Sequence, residues 1–457
     1  QTEEYLRLRE DARQAEDAAR TAAASAEGLT QQMQGQLVTL LAQQLQNATL
    51  ARYPHAAYEL ATFALAAGIF HLFDAALIFT PQLVNVLARS RAAARLCLKF
   101  ILLVSGAMTL MVAFLAVPAV GRPVLGSLFQ LEGAQLDSVV LYLALLAPNI
   151  VMMGLRHYYT GLIVQARRTG LITMLNVLHL AVIWIFLVAG RKAGFGAIMT
   201  VAIAQLAASV IHLAGAKLVA GRAADPDFGG SPYRLTTREI FAFFWPVALT
   251  SLMFSLSRPI LYLFLARLPD PAPVLAAMRV GFDCAMIFHN LLNQFRHLFA
   301  TFGSEDLAGV RRFMVRVTGW VLAVMVATAF SPAAEWVLRV LIGVEGEVLL
   351  YSRHVLMVMC LLPAMIAWRN YYHGLAIINR KTGPMGLGAI MRNLATYAMA
   401  ATLYAAGWLN HVTAAAILVV GFLAETLTMI YWQSFSRRVR LALACLPWPA
   451  AGGEGED

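Results

Sequence analysis

Charged residues are scarce in this chain of 457 residues. They make up 13% of it, about half the share found in soluble domains. Hydrophobic residues account for 60% of the chain, and its mean hydropathy is +0.67. Apolar runs of about 18 or more residues recur along nearly the whole length, each long enough to cross a hydrocarbon core of about 30 Å. The lack of charge excludes a soluble globular protein and predicts an all-α polytopic membrane protein.

Cysteines and catalytic motifs are also scarce. The four cysteines form no CxxC pair and lie scattered in or beside apolar segments, so neither a metal site nor a disulfide framework is indicated. No P-loop, HExxH or GxSxG motif occurs. We therefore expect no enzymatic activity, no cofactor and no metal. The net charge of +10 comes from basic residues in short loops, which is typical of membrane topology and does not indicate nucleic acid.

The chain does contain twelve apolar segments. The first is rich in glutamine and is predicted only because of the repeat described below. Basic residues collect after the even-numbered segments, with Arg191 and Lys192 as the exception, so we expect both termini to be cytoplasmic and the protein to lie in the cytoplasmic membrane. The segments lie near 32–52, 57–87, 96–119, 137–163, 171–190, 194–219, 239–267, 273–302, 313–341, 350–376, 384–407 and 411–435.

Polar stretches divide the chain into domains. Residues 1–30 combine charged residues with alanine and are predicted to form a solvated helical extension. Residues 221–238 are rich in glycine and proline and predict a cytoplasmic linker. The linker separates an N-terminal lobe of six segments, 31–220, from a C-terminal lobe of six, 239–436. Residues 437–457 are expected to form a cytoplasmic tail.

An internal repeat supports this division. The stretch RHYYTGLIVQARRTG at 156–170 returns as RNYYHGLAIINRKTG at 369–383, and we call the separation of these two stretches the repeat offset. LARYP at 50–54 returns as LARLP at 265–269, at nearly the same offset. Two matches on either side of one linker predict two pseudosymmetric six-helix bundles in parallel orientation. Such halves usually enclose a site near the midplane and alternate in access by rocking.

Ionisable residues inside the apolar segments are the candidate site, because a charge at mid-membrane costs at least ~2.5 kcal/mol without a partner or cavity. Arginines exceed carboxylates in this layer, and their planar forks suit carboxylates and phosphates. We therefore expect a small anionic substrate, with a proton or Na⁺ as a possible coupling ion. The predicted substrate-binding residues are Arg258, Arg369, Arg392, Arg296, Asn370, His373 and Arg156. The predicted coupling or gating residues are Asp74, His289 and Glu425.

Some of these roles have alternatives. Arg258 precedes Pro259 and either lines a cavity or pairs with a neighbour in a bent helix. Arg279 and Asp283, four residues apart, are expected to form a structural pair. Glu425 is either a counter-ion for the arginines or a coupling carboxylate. Asp74 and His289 occupy equivalent repeat positions and are expected to face each other across the pseudo-twofold axis.

Several stretches also resemble one known family, the progressive ankylosis (ANKH) proteins. FFWPVALTSLMFSLSRPILYLF at 243–264 resembles their helix 7, and the region from Arg369 with its Arg-Lys-Thr, GFLAET around Glu425, and LARYPHAAYELATFALAAGIF agree as well. The resemblance covers roughly residues 38–436. It implies the multidrug/oligosaccharidyl-lipid/polysaccharide (MOP) exporter superfamily and export of anions such as ATP and citrate, and through these a link to extracellular pyrophosphate. Arg258, Arg369 and Glu425 are the positions carried over.

The sequence thus predicts a monomeric alternating-access exporter of organic anions in the lipid bilayer, with no nucleic-acid partner. The alternative is a flippase for lipids or lipid-linked saccharides of the same superfamily, whose anionic headgroups would use the same arginines. A cation-drug antiporter requires a carboxylate-dominated, aromatic cavity, the opposite balance. A non-transporting scaffold requires every midplane charge to be paired in a dry core.

Overall fold

The computed structural model describes residues 35, 37–166, 168, 170–223, 235–293, 295–303, 306–378 and 383–444. The predicted extension 1–30, most of the predicted linker, and residues 445–457 lie outside these ranges. The described residues contain helices and no β-strand. The all-α prediction is therefore confirmed.

Seventeen α-helices make up the described part of the chain. A 3-10 turn at Ala75–Leu77 joins α2 to α3, and a π-helical turn at Val337–Ile342 follows α13. The helices are α1 (37–50), α2 (Ala56–Asp74), α3 (Thr80–Leu87), α4 (Arg91–Leu115), α5 (Pro118–Phe129), α6 (Gly133–Gln165), α7 (Gly170–Lys192), α8 (Ala197–Ala223), α9 (Thr237–Leu265), α10 (Pro271–Asn293), α11 (Phe295–Phe302), α12 (Leu307–Phe330), α13 (Pro332–Trp336), α14 (Gly346–Met359), α15 (Leu362–Ile378), α16 (Gly383–Ala405) and α17 (His411–Ala444).

Ten helical spans within the described residues are long and apolar enough to cross a membrane. They match predicted segments 2–10 and 12 within a few residues, except at segment 9 and at the end of segment 8, where α10 ends at Asn293 and the short helix α11 covers Phe295–Phe302. The two remaining segments are helical as well, as α1 and α16. The predicted bounds 313–341 of segment 9 are wrong, because α12 covers Leu307–Phe330 and a separate short helix follows. Pro332 begins that helix and Ser331 caps its N-terminus. The helix therefore breaks at a point where the apolar run in the sequence continues.

The repeat extends to the helix bounds themselves. The helix α6 begins at Gly133 and ends at Gln165, and the pair α14–α15 begins at Gly346 and ends at Ile378, so both ends are separated by the repeat offset. The bounds of α7 and α16 differ by the same offset, and those of α3 and α11 by the slightly longer separation of LARYP from LARLP. Gly133 and Gly346 also share a left-handed backbone, with φ of 54° and 57°. We call α1–α8 the N half and α9–α17 the C half.

The two halves pack their helices in the same pattern. In the N half α8 packs on α6 and α7, and α4 packs on α6. In the C half α17 packs on α15 and α16, and α12 packs on α15. The halves meet mainly where α2 packs on α9 and α10. Near the basic loops, the rings of Phe100 and Phe244 add an edge-to-face contact across the halves, with centroids 5.4 Å apart.

Two arginines at equivalent repeat positions connect the halves at the opposite end. Arg52, just after α1, donates from Nη1 to the carbonyl oxygen of Ile342 in the C half at 3.1 Å. Arg267, just after α9, donates from Nη2 to the carbonyl oxygen of Leu128 in the N half at 3.4 Å. We call these contacts the arginine latches. They hold the halves together at the end away from the basic loops.

Candidate functional site

Four buried side chains from three helices meet inside the C half. Arg392 on α16 brings Nη1 to 2.6 Å from Oε2 of Glu425 on α17, and Arg369 on α15 brings Nη1 to 3.7 Å from the same oxygen. His373, one turn after Arg369, places Nε2 at 3.4 Å from the other oxygen, Glu425 Oε1. All four side chains are buried. We call them the C-half cluster; the sequence predicted each of its members as a site residue.

Two glycines allow α16 and α17 to approach closely enough for this ion pair. A Cβ atom on Gly421 would lie 2.8 Å from Thr396 Oγ1 and 3.1 Å from Arg392 Cγ. A Cβ atom on Gly388 would lie 3.2 Å from Glu425 Cγ. A larger residue at either position would require these neighbouring side chains to shift, so the close approach of Arg392 and Glu425 is favoured by the two glycines.

Neutral groups satisfy most of the remaining donors of Arg392. Its Nε donates to Ser257 Oγ at 3.1 Å and its Nη2 to the carbonyl of Met253 at 3.1 Å, both on α9. Its guanidinium also lies 4.9 Å from the ring centroid of Phe254 and 5.4 Å from that of Phe422. A guanidinium held by an acid, two further acceptors and two rings is fixed in position.

Arg369 is less completely satisfied. Its Nη2 donates to Asn293 Oδ1 at 2.8 Å and to Asn370 Oδ1 at 3.2 Å, while the Asn370 amide donates to the carbonyl of Leu292 at 2.8 Å. Its Nε is buried without a hydrogen-bond partner, as is Nδ1 of His373. Asn370 thus positions Arg369, and the donors left over face a cluster whose single carboxylate is already shared.

Arg296 adds a further positive charge near this cluster. It lies on α11 and acts electrostatically on both Glu425 and Arg369. Three guanidinium groups therefore act on one carboxylate in this part of the C half. The sum is an excess of positive charge within the apolar layer.

A second cluster lies between the halves. Asp283 on α10 accepts from Arg258 Nη1 at 3.2 Å and lies 3.7 Å from Arg279 Nη2. Asn47 on α1 joins it, since its Nδ2 donates to Asp283 Oδ2 at 3.1 Å and its Oδ1 accepts from Arg279 Nε at 2.7 Å. We call these four residues the interface cluster. The predicted Arg279–Asp283 pair is confirmed, but the sequence did not reveal that Arg258 and Asn47 share it.

Arg258 is the most accessible of the arginines in these two clusters. Its side chain is 32% exposed, whereas that of Asp283 is 2% exposed. Its guanidinium lies 4.7 Å from the ring centroid of Phe282. Arg258 is therefore both paired with Asp283 and open on one side.

The other predicted residues lie outside both clusters. Asp74 accepts from His71 Nδ1 at 3.0 Å, and His289 Nε2 lies 3.3 Å from the carbonyl of Met359. Asp74 and His289 thus each engage a partner within their own half. Arg156 lies half-buried on α6 in the N half, apart from its repeat partner Arg369. Among the described residues, no three His, Cys, Asp or Glu side chains come together to hold a metal.

No protein-family model and no curated protein matches this chain. Solved structures do match it. An inward-facing multidrug resistance MATE family transporter of the MOP superfamily gives a TM-score of 0.65 at 13% identity, covering 91% of this chain and 96% of its own. An outward-facing MATE family transporter gives 0.61 at 14% identity, covering 93% and 96%. The lipid II flippase MurJ in an inward closed conformation gives 0.63 at 12% identity, covering 88% and 86%.

These likenesses extend over nearly the whole chain at very low identity, so they show the fold alone. The narrower resemblance to the progressive ankylosis proteins has no counterpart among them and stays a prediction. The chain has the fold of the MOP-superfamily transporters, with two pseudosymmetric helical bundles.

Proposed function

We propose that this chain is an alternating-access transporter that exports organic anions bearing carboxylate or phosphate groups across the cytoplasmic membrane. One observation carries the proposal: in both clusters of the apolar layer, arginines outnumber the single carboxylate, Asp283 or Glu425, that they share. Positive charge in excess within this layer is costly unless an anion or water faces it. An anionic substrate supplies the missing charge.

Arg258 is the group that an incoming anion would reach first, because the side chains of Arg369 and Arg392 are only 5% and 2% exposed. The anion would compete with Asp283 for the guanidinium of Arg258. Asp283 also accepts a hydrogen bond from Asn47 of the N half. Competition at Arg258 would therefore loosen a contact between the halves, and alternating access requires such a link between binding and rocking.

A lipid or lipid-linked saccharide flippase is the second candidate. It is favoured by the likeness to the lipid II flippase MurJ, whose TM-score is close to that of the MATE transporter. A phosphate-bearing headgroup would use the same arginines. The two candidates differ in whether the transported molecule carries a lipid tail.

A cation-drug antiporter agrees less well with the charges, although the MATE neighbours are named for multidrug resistance. A cationic drug needs a carboxylate that is not already neutralised. Asp283 and Glu425 are each paired with arginine at 3.2 Å and 2.6 Å. The proposal therefore assigns an anion to this chain.

The test is efflux from proteoliposomes loaded with labelled ATP or labelled citrate. We expect the wild-type chain to release one of them, and Arg258→Ala and Arg369→Ala each to abolish the release. Arg122→Ala is the matched control, because Arg122 forms an exposed pair with Asp137 at 2.9 Å outside both clusters. Its efflux should equal that of the wild type.

Two outcomes would contradict parts of the proposal. Normal efflux from both Arg258→Ala and Arg369→Ala would exclude these arginines as substrate ligands. Absence of anion efflux together with translocation of a fluorescent polyprenyl pyrophosphate, in the same liposomes, would replace the exporter by the flippase.

A further inference from the structure

The repeat relates the C-half cluster to a set of basic residues in the N half. At the repeat offset, Arg369 corresponds to Arg156, Arg392 to His179 and Glu425 to His212. The position that holds the only carboxylate of the C-half cluster therefore holds a histidine in the N half. Asn370 corresponds to His157, a further basic residue.

The turns between these helices confirm that the correspondence is in register. Between α7 and α8, Gly194 has φ 75° and Phe195 N donates to Gly190 O at 3.0 Å. Between α16 and α17, Gly407 has φ 71° and Trp408 N donates to the equivalent carbonyl oxygen of α16 at 2.9 Å. The same turn at the same offset aligns α7 and α8 with α16 and α17 without a gap.

The N-half residues lie close to one another. The rings of His179 and His212 meet edge to face, with centroids 5.3 Å apart. The charge of Arg156 acts on His157, His179 and His212 alike. We call these four residues the N-half cluster. Three helices, α6, α7 and α8, contribute to it, as α15, α16 and α17 contribute to the C-half cluster.

Polar atoms of the N-half cluster lack partners. His212 is 3% exposed, and its Nδ1 is buried without a hydrogen-bond partner; the Nδ1 of His179 is in the same state. The acid that acts on Arg156 is Asp74 on α2, and Asp74 is already held by His71 at 3.0 Å. In the C half, Glu425 supplies a carboxylate at the position equivalent to His212. In the N half, no residue of the cluster itself carries a negative charge.

We propose that Arg156, His179 and His212 form an anion-binding site in the N half that takes up a proton when it binds a carboxylate or phosphate group. Arg156 offers a planar fork to two oxygens of the anion. A protonated imidazole donates from both ring nitrogens, so the two partnerless Nδ1 atoms become donors to the anion. The bound anion then supplies the negative charge that Glu425 supplies in the C half.

Binding and protonation are linked by charge. A proton added to an imidazole beside Arg156 increases the positive charge in a layer of low dielectric, which is unfavourable without an anion. A bound anion offsets that charge and so favours protonation of the imidazole. By thermodynamic linkage, protonation strengthens the binding of the anion by the same free energy. The titratable and charged groups that act on the imidazoles are Arg156 and His157 from α6, and Asp74 from α2 acts on Arg156 in turn.

The inference rests on the proposed function only for the chemical class of the anion. Binding can be measured without transport, so the two can fail separately. The N half would then supply the proton coupling of the exporter, while the exposed Arg258 between the halves receives the substrate first.

The experiment is calorimetric titration of the full chain in lipid nanodiscs with sulfate, which carries the oxygens of a phosphoryl group and keeps its charge from pH 6 to pH 8. Buffers of different ionisation enthalpy report the protons taken up. We expect uptake of about one proton per sulfate, and a dissociation constant that rises about tenfold per pH unit where the free imidazoles are neutral.

Three variants sharpen the test. His179→Arg with His212→Glu copies the C-half cluster and should weaken sulfate binding at pH 6 more than tenfold, because the new carboxylate occupies the site. His179→Gln with His212→Gln should keep weak binding through Arg156 but lose its pH dependence. His354→Gln with His411→Gln is the control, since these histidines form a pair of their own, 3.0 Å apart on α14 and α17; its sulfate binding should equal that of the wild type.

Equal affinity at pH 6 and pH 8, or undiminished binding by the His179→Arg, His212→Glu variant, would overturn the proposed site. If anion efflux from proteoliposomes nevertheless persists, the exporter stands and only the N-half site falls. If sulfate binds with the expected proton uptake but no anion is exported, the site stands and the exporter falls.

Discussion

At the scale of single residues, the Arg392–Glu425 pair is the most buried interaction of the C-half cluster. Both side chains are almost fully excluded from solvent, at 2% and 3% exposure. Removing one partner of such a pair leaves an uncompensated buried charge, which costs far more than the net contribution of the intact pair. Glu425 is therefore needed for stability, whether or not it also takes part in coupling.

Glu425→Gln should destabilise the protein by about 3–5 kcal/mol, because Arg369 and Arg392 lose their shared carboxylate. The measurement is thermal or denaturant unfolding of the purified chain in detergent. Glu335→Gln is the matched control, since Glu335 pairs with Arg339 at 2.8 Å on the exposed surface, where such pairs contribute about 0–1 kcal/mol. An equal decrease in the free energy of unfolding of both variants would show that the buried pair contributes no more to stability than the exposed pair.

The sequence revealed the charged residues of the site better than their partners. Arg369, Arg392, His373 and Glu425 stood out because ionisable groups are costly in an apolar segment. Their neutral partners, such as serine and asparagine side chains, are ordinary in a helix and carry no such signal. Which helices pack together is a long-range property, so hydropathy could not show that α1 reaches Asp283.

At the scale of helices, the packing of α16 against α17 depends on Gly421. A side chain there meets Thr396 Oγ1 at 2.8 Å and Arg392 Cγ at 3.1 Å. Both atoms belong to residues held in place, because Thr396 donates to the carbonyl of Arg392 at 2.9 Å. Relief of the clash therefore requires the helices to separate.

Gly421→Ala should destabilise the protein by about 1–3 kcal/mol, as overpacking of a well-packed core usually does. Gly386→Ala on α16 is the control, because a Cβ atom there meets nothing within 4 Å and alanine favours the helix by about 1 kcal/mol. Melting temperatures of the two variants should move in opposite directions. A rise in the melting temperature of both variants would mean that a methyl group fits between α16 and α17 at Gly421.

Helix types and most helix positions could be predicted from hydropathy, but the breaks within membrane segments could not. The bend after α2 lies at Ala75–Leu77, and Pro81 follows it in the first turn of α3. Pro81 has no backbone N–H to donate to the carbonyl of Leu77, so a local signal for the break was present. Pro332 was a second such signal, and the predicted segment 9 is too long because its bounds followed hydropathy alone.

At the scale of the whole molecule, two short repeated stretches were enough to predict the pseudosymmetry. They were not enough to reveal the N-half cluster, because His179 and His212 differ in charge and type from Arg392 and Glu425. The helix bounds show which residues of the two halves correspond, because α7 and α16 begin and end at the repeat offset from each other. Counting that offset back from Arg392 and Glu425 along the chain would have found both histidines.

The arginine latches follow the same symmetry. Arg52 and Arg267 occupy equivalent positions in LARYP and LARLP, and each donates to a backbone carbonyl of the opposite half. Hydrogen bonds to a charged donor contribute about 1.5–3 kcal/mol each when well formed. Two latches at one end therefore favour the state in which the halves are closed at the end away from the basic loops.

Removing both latches should shift the population of states toward opening at that end. In the Arg52→Ala, Arg267→Ala variant, the loss of about 1.5–3 kcal/mol, mainly from the 3.1 Å bond of Arg52, corresponds to a roughly tenfold to hundredfold change in the equilibrium. Spin labels at Ser127→Cys and Ala406→Cys, both exposed at this end of opposite halves, should report a longer distance by pulsed electron resonance. Arg122→Ala, whose pair with an aspartate stays within the N half, should leave the distance unchanged. An unaltered distance in the double variant would mean that the contact of α2 with α9 and α10 closes this end without the latches.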